Sequence, residues 1–349
     1  MELTNGKDRA KLALNDAAAF NRVMRRYEVE AMIDVRSQEA LVQNCKVFPA
    51  AVCIYKVKIF GSATFAEVTK YEREVRSEIA ATRSKLGVYD KKMSVRFDIE
   101  PFLSLEVDTP DGYTLDREQV AVNPYQAAIG KQFSVDGEKV VKYDLNVHYQ
   151  TLVAAVSGHG KSKLLKNCLL GLIHSTKPAD LKFWLIDFKN DDLQPFAKLK
   201  HTERYAWKQE DANKLIEYLR LELEKRISSN KKKQHKILLV IDEGAELDKD
   251  LDDTLATIMK MGRSLGIHVL LATQYPTSAQ IGQKIARAFT HRFVGRVESA
   301  SSALWASGVA GSGAELLRKP GAFLYVFGGN VERFQTFNLT KEMEEELIK

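Results

Sequence analysis

Nowhere in the 349 residues do about 18 apolar residues run together, so no segment reads as a membrane-spanning helix. Met1 to Lys11 is charged and no apolar run follows it, so a secretory leader is not expected. Cysteine is scarce. Cys45, Cys53 and Cys168 lie far apart and show none of the paired spacings of a zinc site, which points to reduced thiols in a cytoplasmic protein. There are only 8 prolines, no internal repeat and no low-complexity tract, so solenoid and collagen-like architectures fall away. A strong charge of one sign is missing too. The formal net charge of +6 is compatible with a polyanionic partner but does not demonstrate one.

What is present is an ordinary globular composition, 45% hydrophobic and 28% charged, in a chain long enough for one large domain and a smaller companion. Residues 12 to 46 read as helical and amphipathic, with Phe20, Val23, Met24 and Tyr27 on one face and Asn21, Arg25 and Arg26 on the other. Val47 to Phe60 looks like strand, and Phe65 to Tyr71 is a further strand candidate leading into a charged helix, Glu72 to Leu86. Short strands are expected around Met93 to Ile99 and Leu103 to Val107, followed by a turn at Pro110 to Gly112. These patterns predict a helical segment over 1–47 and a small α+β domain over 48–125. From 126 to 349, strands rich in branched apolar residues alternate with longer helices, which predicts an α/β domain with a parallel sheet covered on both faces.

The sharpest signal is Leu152 to Ser162, an apolar strand running into a glycine-bearing loop that ends Gly160-Lys161-Ser162, with a helix expected over Lys163 to His174. Gly158 and Gly160 let the backbone curl until successive N–H groups face a phosphate, and the following helix points its positive end at the same anion. Lys161 supplies a mobile point charge for the β- and γ-phosphates, and Ser162 Oγ is a candidate Mg²⁺ ligand. Ala155 stands where the pattern usually has its first glycine. That position begins the turn and lies outside the tight curl. The nucleotide, ATP, is expected on Ala155, Ser157, Gly158, His159, Gly160, Lys161, Ser162 and Lys163.

A second strand end is needed to hold the metal and activate water. Lys236 to Glu243 is an apolar run closed by two acids; in a parallel sheet these emerge beside the phosphates. Asp242 suits a Mg²⁺ contact and Glu243 a general base. Leu181 to Asp187 also ends in an acid. Ile267 to Gln274 ends in a polar pair, and Gln274 could sense the γ-phosphate through water. For Asp187 an ordinary buried strand end remains an equal reading.

On these segments, residues from roughly 65 to 349 resemble the motor of the FtsK/SpoIIIE family of DNA translocases, within the wider group of HerA and conjugative coupling proteins. Leu185 to Lys189 is similar to the family's Ile-Asp-Pro-Lys strand end, with Phe188 in place of proline. Glu222 to Arg226 resembles the helix before the acidic strand. Gly262 to Gln274 is close to the Arg-Ala-Ala-Gly-Ile-His segment that runs into Leu-Ala-Thr-Gln, and Gly313 to Leu317 with Gly321 matches the stretch before the last strand. Upstream, Val68 to Glu72 is similar to the opening strand of the family's small α domain; Ile129 to Gln132 and Val140 to Lys142 resemble the strand pair entering the ATPase core.

The resemblance implies a RecA-like P-loop ATPase that forms a homo-hexamer around double-stranded DNA, with ATP and Mg²⁺ at subunit interfaces, while the lack of a long apolar run leads us to expect no membrane insertion. In such rings a neighbour's arginine stabilises charge on the transferring phosphoryl group, and Arg263 is the candidate here. Only Lys341 to Lys349 follows residue 340, which leaves no room for a winged-helix module. On this reading the expectation is either a stand-alone motor of a mobile element, plasmid or virus, or a shortened piece of a longer protein, and the sequence does not choose between them. For DNA contact, the candidates are the basic loop Ser228 to Gln234 and the lysines between Lys189 and Lys200; a solvated surface loop is the plainer reading of the first. A helicase or single-stranded DNA translocase is the alternative, and a protein-pumping ATPase ranks last, because such motors often carry several phosphate loops.

Overall fold

The computed structural model describes residues 6–48, 52–88, 93, 95–98, 103–108, 115, 120–134, 136–229, 234–277, 279–317 and 319–348. The expected turn at Pro110 to Gly112 and the lysine run at 231–233 lie outside the described residues. By internal contacts the chain forms two compact units, residues 1–115 with 132–139, and residues 116–131 with 140–349. These limits differ from the expected 1–47, 48–125 and 126–349.

In the first unit, α1 (Gly6–Arg26) is followed by β1 (Ala31–Met32), α2 (Gln38–Asn44), β2 (Cys45–Phe48), β3 (Val52–Lys56), β4 (Lys58–Ile59), α3 (Phe65–Thr69), α4 (Glu72–Lys85), β5 (Val95–Asp98) and β6 (Ser104–Asp108). An antiparallel sheet in the order β2-β3-β6-β5 lies under the helices. Helix α1 repeats apolar residues at helical spacing: Leu12, Ala13, Ala17, Phe20, Val23 and Met24 are buried against Tyr55, Val75, Ile79 and Leu105. That shared core explains why the N-terminal helix joins the residues after 48. Helix also ends earlier than expected, since Ala31 pairs with Ile59 in a short antiparallel ribbon.

Phe65 to Tyr71 is helix, not strand. Thr64 accepts a hydrogen bond from the Glu67 N–H while the Glu67 carboxylate accepts from the Thr64 N–H at 2.7 Å, a capping box that starts a helix despite the β-prone composition. The likeness of Val68 to Glu72 to an opening strand therefore fails at the level of structure.

The remaining elements are β7 (Gln126–Ser134), β8 (Gly137–Asp144), β9 (Gln150–Ala154), α5 (Lys161–Ser175), β10 (Leu181–Ile186), β11 (Thr202–Ala206), α6 (Gln209–Ser228), β12 (Lys236–Ile241), α7 (Asp252–Gly262), β13 (Ile267–Thr273), α8 (Gln283–Ala288), β14 (His291–Val294), α9 (Ala300–Ser307), β15 (Ala322–Phe327), β16 (Asn330–Thr336) and α10 (Lys341–Ile348), and apart from the stretch 132–139 of β7 and β8 they belong to the second unit. The sheet runs β11-β10-β12-β13-β9-β14-β15-β16-β7-β8. From β11 to β14 all pairings are parallel; β15 and β16 turn antiparallel. Because side chains alternate along a strand, Leu152 and Ala154 of β9 enter one apolar cluster while Val153 and Ala155 enter the other. Burial on both faces is why these strands read as unbroken apolar runs. The result is a mixed α/β sheet with the phosphate loop at its centre, where β9 sits between β13 and β14.

Candidate nucleotide site

The loop after β9 is held from several sides. Ala155 N–H donates to the Thr273 carbonyl at 3.2 Å, Val156 N–H to that of Arg296 at 2.8 Å, and Gly321 N–H to that of His159 at 2.9 Å. Gly158 and Gly160 have φ of +76° and +98°, which side-chain-bearing residues rarely adopt. A Cβ on Gly160 would also come within 3.0 Å of the Gly321 backbone. Ala155 is buried and is not among the residues with positive φ, so a methyl group is tolerated where a glycine is usual. Ser157 and Gly158 are exposed, and His159 Nδ1 lies 3.2 Å from the Ser157 carbonyl. Helix α5 starts at Lys161 and aims its free N–H groups at the loop.

Lys161 is buried, and its Nζ donates to the Asp242 main-chain carbonyl at 2.6 Å. Ser162 Oγ donates to Asp192, and Lys163 Nζ donates to Asn338 on the exposed side. Asp242 stands at the end of β12, where its Oδ1 accepts from the Phe188 N–H at 3.1 Å. Its Oδ2 is buried and has no partner among the described residues. Burial pushes the Asp242 carboxyl up to about 6, Asp187 and Glu243 add to the rise, and the Lys161 ammonium opposes it. A buried, unpaired carboxylate oxygen and a serine hydroxyl are oxygen donors of the kind a hard divalent cation takes, so Asp242 and Ser162 fit Mg²⁺ by their chemistry.

Glu243 is buried and firmly oriented. Its Oε1 accepts from Thr273 Oγ1 at 2.7 Å, and its Oε2 from the Gln274 N–H at 3.0 Å. Gln274 thus reaches the site through its main chain; its half-buried side-chain amide has no hydrogen-bond partner among the described residues. Asp187 is buried, with Oδ2 accepting from the Leu193 N–H at 2.9 Å.

Arg263 is not brought to this cluster. It opens the short 3-10 helix before β13, and its guanidinium lies 4.1 Å from the Tyr149 ring centroid. Tyr149 precedes β9 and the phosphate loop follows it, so roughly 15 Å of strand separates Arg263 from the loop. There Arg263 borders a cleft of about 670 Å³, together with Lys260, Lys284 and Arg287. Lys189, Lys198 and Lys200 are exposed. Sequence reading alone reached neither Thr273 nor Asp192. The hydroxyl that precedes Gln274 at the strand end was the available signal for Thr273.

A central strand, a glycine-bearing turn and an acidic neighbouring strand end define a RecA-like P-loop ATPase fold. Residues 114–237 match the family model described as "FtsK/SpoIIIE family". It is 28% identical over 253 residues to the DNA translocase FtsK of Borreliella burgdorferi, covering 62% of this chain and 32% of that protein. It is 27% identical over 180 residues to the DNA translocase SftA of Bacillus subtilis, covering 44% of this chain and 19% of that one. The chain thus spans about a third of the first relative's length and about a fifth of the second's. Among solved structures, the pCW3 conjugation coupling protein TcpA superposes with a TM-score of 0.59 at 16% identity, over 97% of this chain and 99% of that one. The cytoplasmic domain of the Thermomonospora curvata type VII secretion ATPase EccC gives 0.55 at 22%, over 67% and 32%. These two likenesses concern the fold. No helix among the described residues is long and apolar enough to cross a membrane.

Proposed function

We propose that this chain is an ATP-driven motor that moves along double-stranded DNA, working in the cytoplasm as a hexameric ring. The observation that carries the reading is the pairing of Lys161 with Asp242 beside a Glu243 carboxylate fixed on the Thr273–Gln274 strand end. Gly158, His159 and Gly160 turn backbone N–H groups toward the phosphates of ATP, and Lys161 exchanges the Asp242 carbonyl for phosphate oxygens. Ser162 and Asp242 would supply oxygen ligands for Mg²⁺. When bound, that ion neutralises charge on the triphosphate. Glu243 accepts the proton of the attacking water. Because the same carboxylate accepts from the Gln274 N–H, a change at Glu243 is felt directly by the end of β13. Gln274 is proposed to relay that change.

Arg263, a strand's length from its own phosphate loop, is proposed to act in the site of a neighbouring copy. The exposed lysines 189, 198 and 200 are candidates for gripping DNA phosphates without reading bases. The DNA part of the reading draws on the family match and on the two translocases named above. A setting in a mobile element, plasmid or virus is its narrowest part. TcpA, which superposes over 97% of this chain, is a conjugation coupling protein. Displacement of a triplex-forming strand from a long duplex tests it: ATP-dependent displacement is expected, and displacement that ignores ATP or fails altogether would remove the translocase.

A further inference from the structure

Beyond the phosphate loop and the acids of β12, the turn after β10 brings a third acid to the site. The turn is built to a fixed shape. Phe188 N–H ties its start to Asp242 Oδ1 at 3.1 Å, and Leu193 N–H ties its end back to Asp187 Oδ2 at 2.9 Å. Between them Asn190 adopts a left-handed φ of +52°, its N–H donates to the Asp187 carbonyl at 3.0 Å, and its side-chain oxygen accepts from the Tyr205 hydroxyl at 2.7 Å. The half-buried side chain this turn presents to α5 is Asp192, which accepts the hydroxyl proton of Ser162.

A serine hydroxyl has one proton and two lone pairs. With its proton committed to a carboxylate, the lone pairs of Ser162 Oγ are free for a cation, and the oxygen is the better donor for it. Two buried carboxylate oxygens, Asp187 Oδ1 and Asp242 Oδ2, have no partner among the described residues, so the pocket is short of positive charge.

Resting on the nucleotide-site reading above, we propose that Asp192 is a positioning residue for the metal. It holds the Ser162 proton so that Oγ turns its lone pairs to Mg²⁺, and the Asp187–Asn190–Leu193 turn sets its place. It touches neither nucleotide nor metal itself.

The test is titration of a fluorescent ATP analogue with and without Mg²⁺, on wild type, Asp192→Ala, Asp192→Asn, Ser162→Ala and the Asp192→Ala/Ser162→Ala pair. Asp192→Ala should weaken the metal-dependent part of binding on the order of 10-fold and leave metal-free binding unchanged. Asp192→Asn, which keeps a neutral acceptor, should fall between. The double variant should lose no more than Ser162→Ala alone, because Asp192 acts through Ser162. Metal dependence in Asp192→Ala equal to wild type would overturn the proposal. So would equal loss with and without metal, the mark of a merely structural role, or additive losses in the double variant. Wild type that binds the analogue without any response to Mg²⁺, or not at all, would instead overturn the nucleotide-site reading itself, and this inference with it.

Discussion

The ammonium of Lys161 sits 2.6 Å from the main-chain carbonyl of Asp242, joining the first turn of α5 to the end of β12. Both groups are buried, so the contact is a charge-assisted hydrogen bond within the protein and not a solvated lysine waiting for ligand. Phosphate binding has to replace it. The loop residues that would receive the phosphate are already curled by Gly158 and Gly160, so the rearrangement falls on one flexible side chain.

Lys161→Ala is expected to lower kcat on the order of 100-fold or more, since it removes the point charge that faces the transferring phosphate. Glu243→Gln should retain ATP binding while lowering kcat by a similar factor, because the amide keeps the shape but is no base. Single-turnover hydrolysis next to equilibrium binding separates the two. Unchanged turnover in Glu243→Gln would take the base role away from Glu243.

Arg263 is expected to act across a subunit boundary. Mixing Arg263→Ala with wild type should lower ATPase activity faster than the fraction of variant added, because each variant subunit silences a neighbour's site. A strictly proportional decline would return Arg263 to the exposed end of its helix, stacked on Tyr149.

In the first unit Arg83 and Asp16 are a fully buried ion pair, with Arg83 Nε 3.0 Å from Asp16 Oδ1 and the Tyr55 hydroxyl donating to Asp16 Oδ2 at 2.7 Å. Arg83→Met leaves the Asp16 carboxylate buried without its cation and should cost roughly 3–5 kcal/mol in urea unfolding. Replacing Asp16 with leucine as well should recover most of the loss, since an apolar pair of similar volume avoids the desolvation that the ions suffer. A double variant no more stable than the single one would show that the network contributes more than its charges.

Acid should destabilise the second unit through its buried histidines. Burial lowers His268 to about 3, helped by the positive charges of Lys236 and Arg226. It lowers His148 to about 4 against the opposing pull of Asp144, and His291 to about 4 with His148 and Arg263 adding to the fall. In the unfolded chain these rings titrate near ~6.5. Between those values the unfolded chain binds more protons, so stability rises with pH through this window and is lost as pH falls from about 6.5 toward 4. Neither ring nitrogen of His268 has a partner among the described residues. His268→Leu should therefore flatten the fall in melting temperature between pH 6.5 and 4.5, to be read by thermal unfolding across that pH range; an unchanged slope would clear His268.

Much of the second unit's core was legible because its strands are buried on both faces, so Leu152, Leu239 and Val269 sit in apolar runs. The phosphate loop was legible because its glycines have positive φ, a demand that few other residues meet. Phe65 to Thr69 misread as strand because the capping contact between Thr64 and Glu67 outweighs local composition, although the Thr-x-x-Glu spacing was there to see. Asp192 and Thr273 stayed hidden for a different reason. Their roles depend on hydrogen bonds to Ser162 and Glu243, each 30 residues away along the chain, and no local pattern encodes such pairings. Arg263 lies a strand's length from its own phosphate loop, and the role expected of it, in a neighbouring copy's site, is not one that a single chain displays.

The central claim is that ATP turnover here is coupled to duplex DNA. Its most direct measurement is the steady-state ATPase rate without nucleic acid, with single-stranded DNA and with duplexes of increasing length, using Glu243→Gln as the blank. The account predicts strong stimulation by duplex that grows with its length. Stimulation confined to single strands, or a rate indifferent to all DNA, would contradict it.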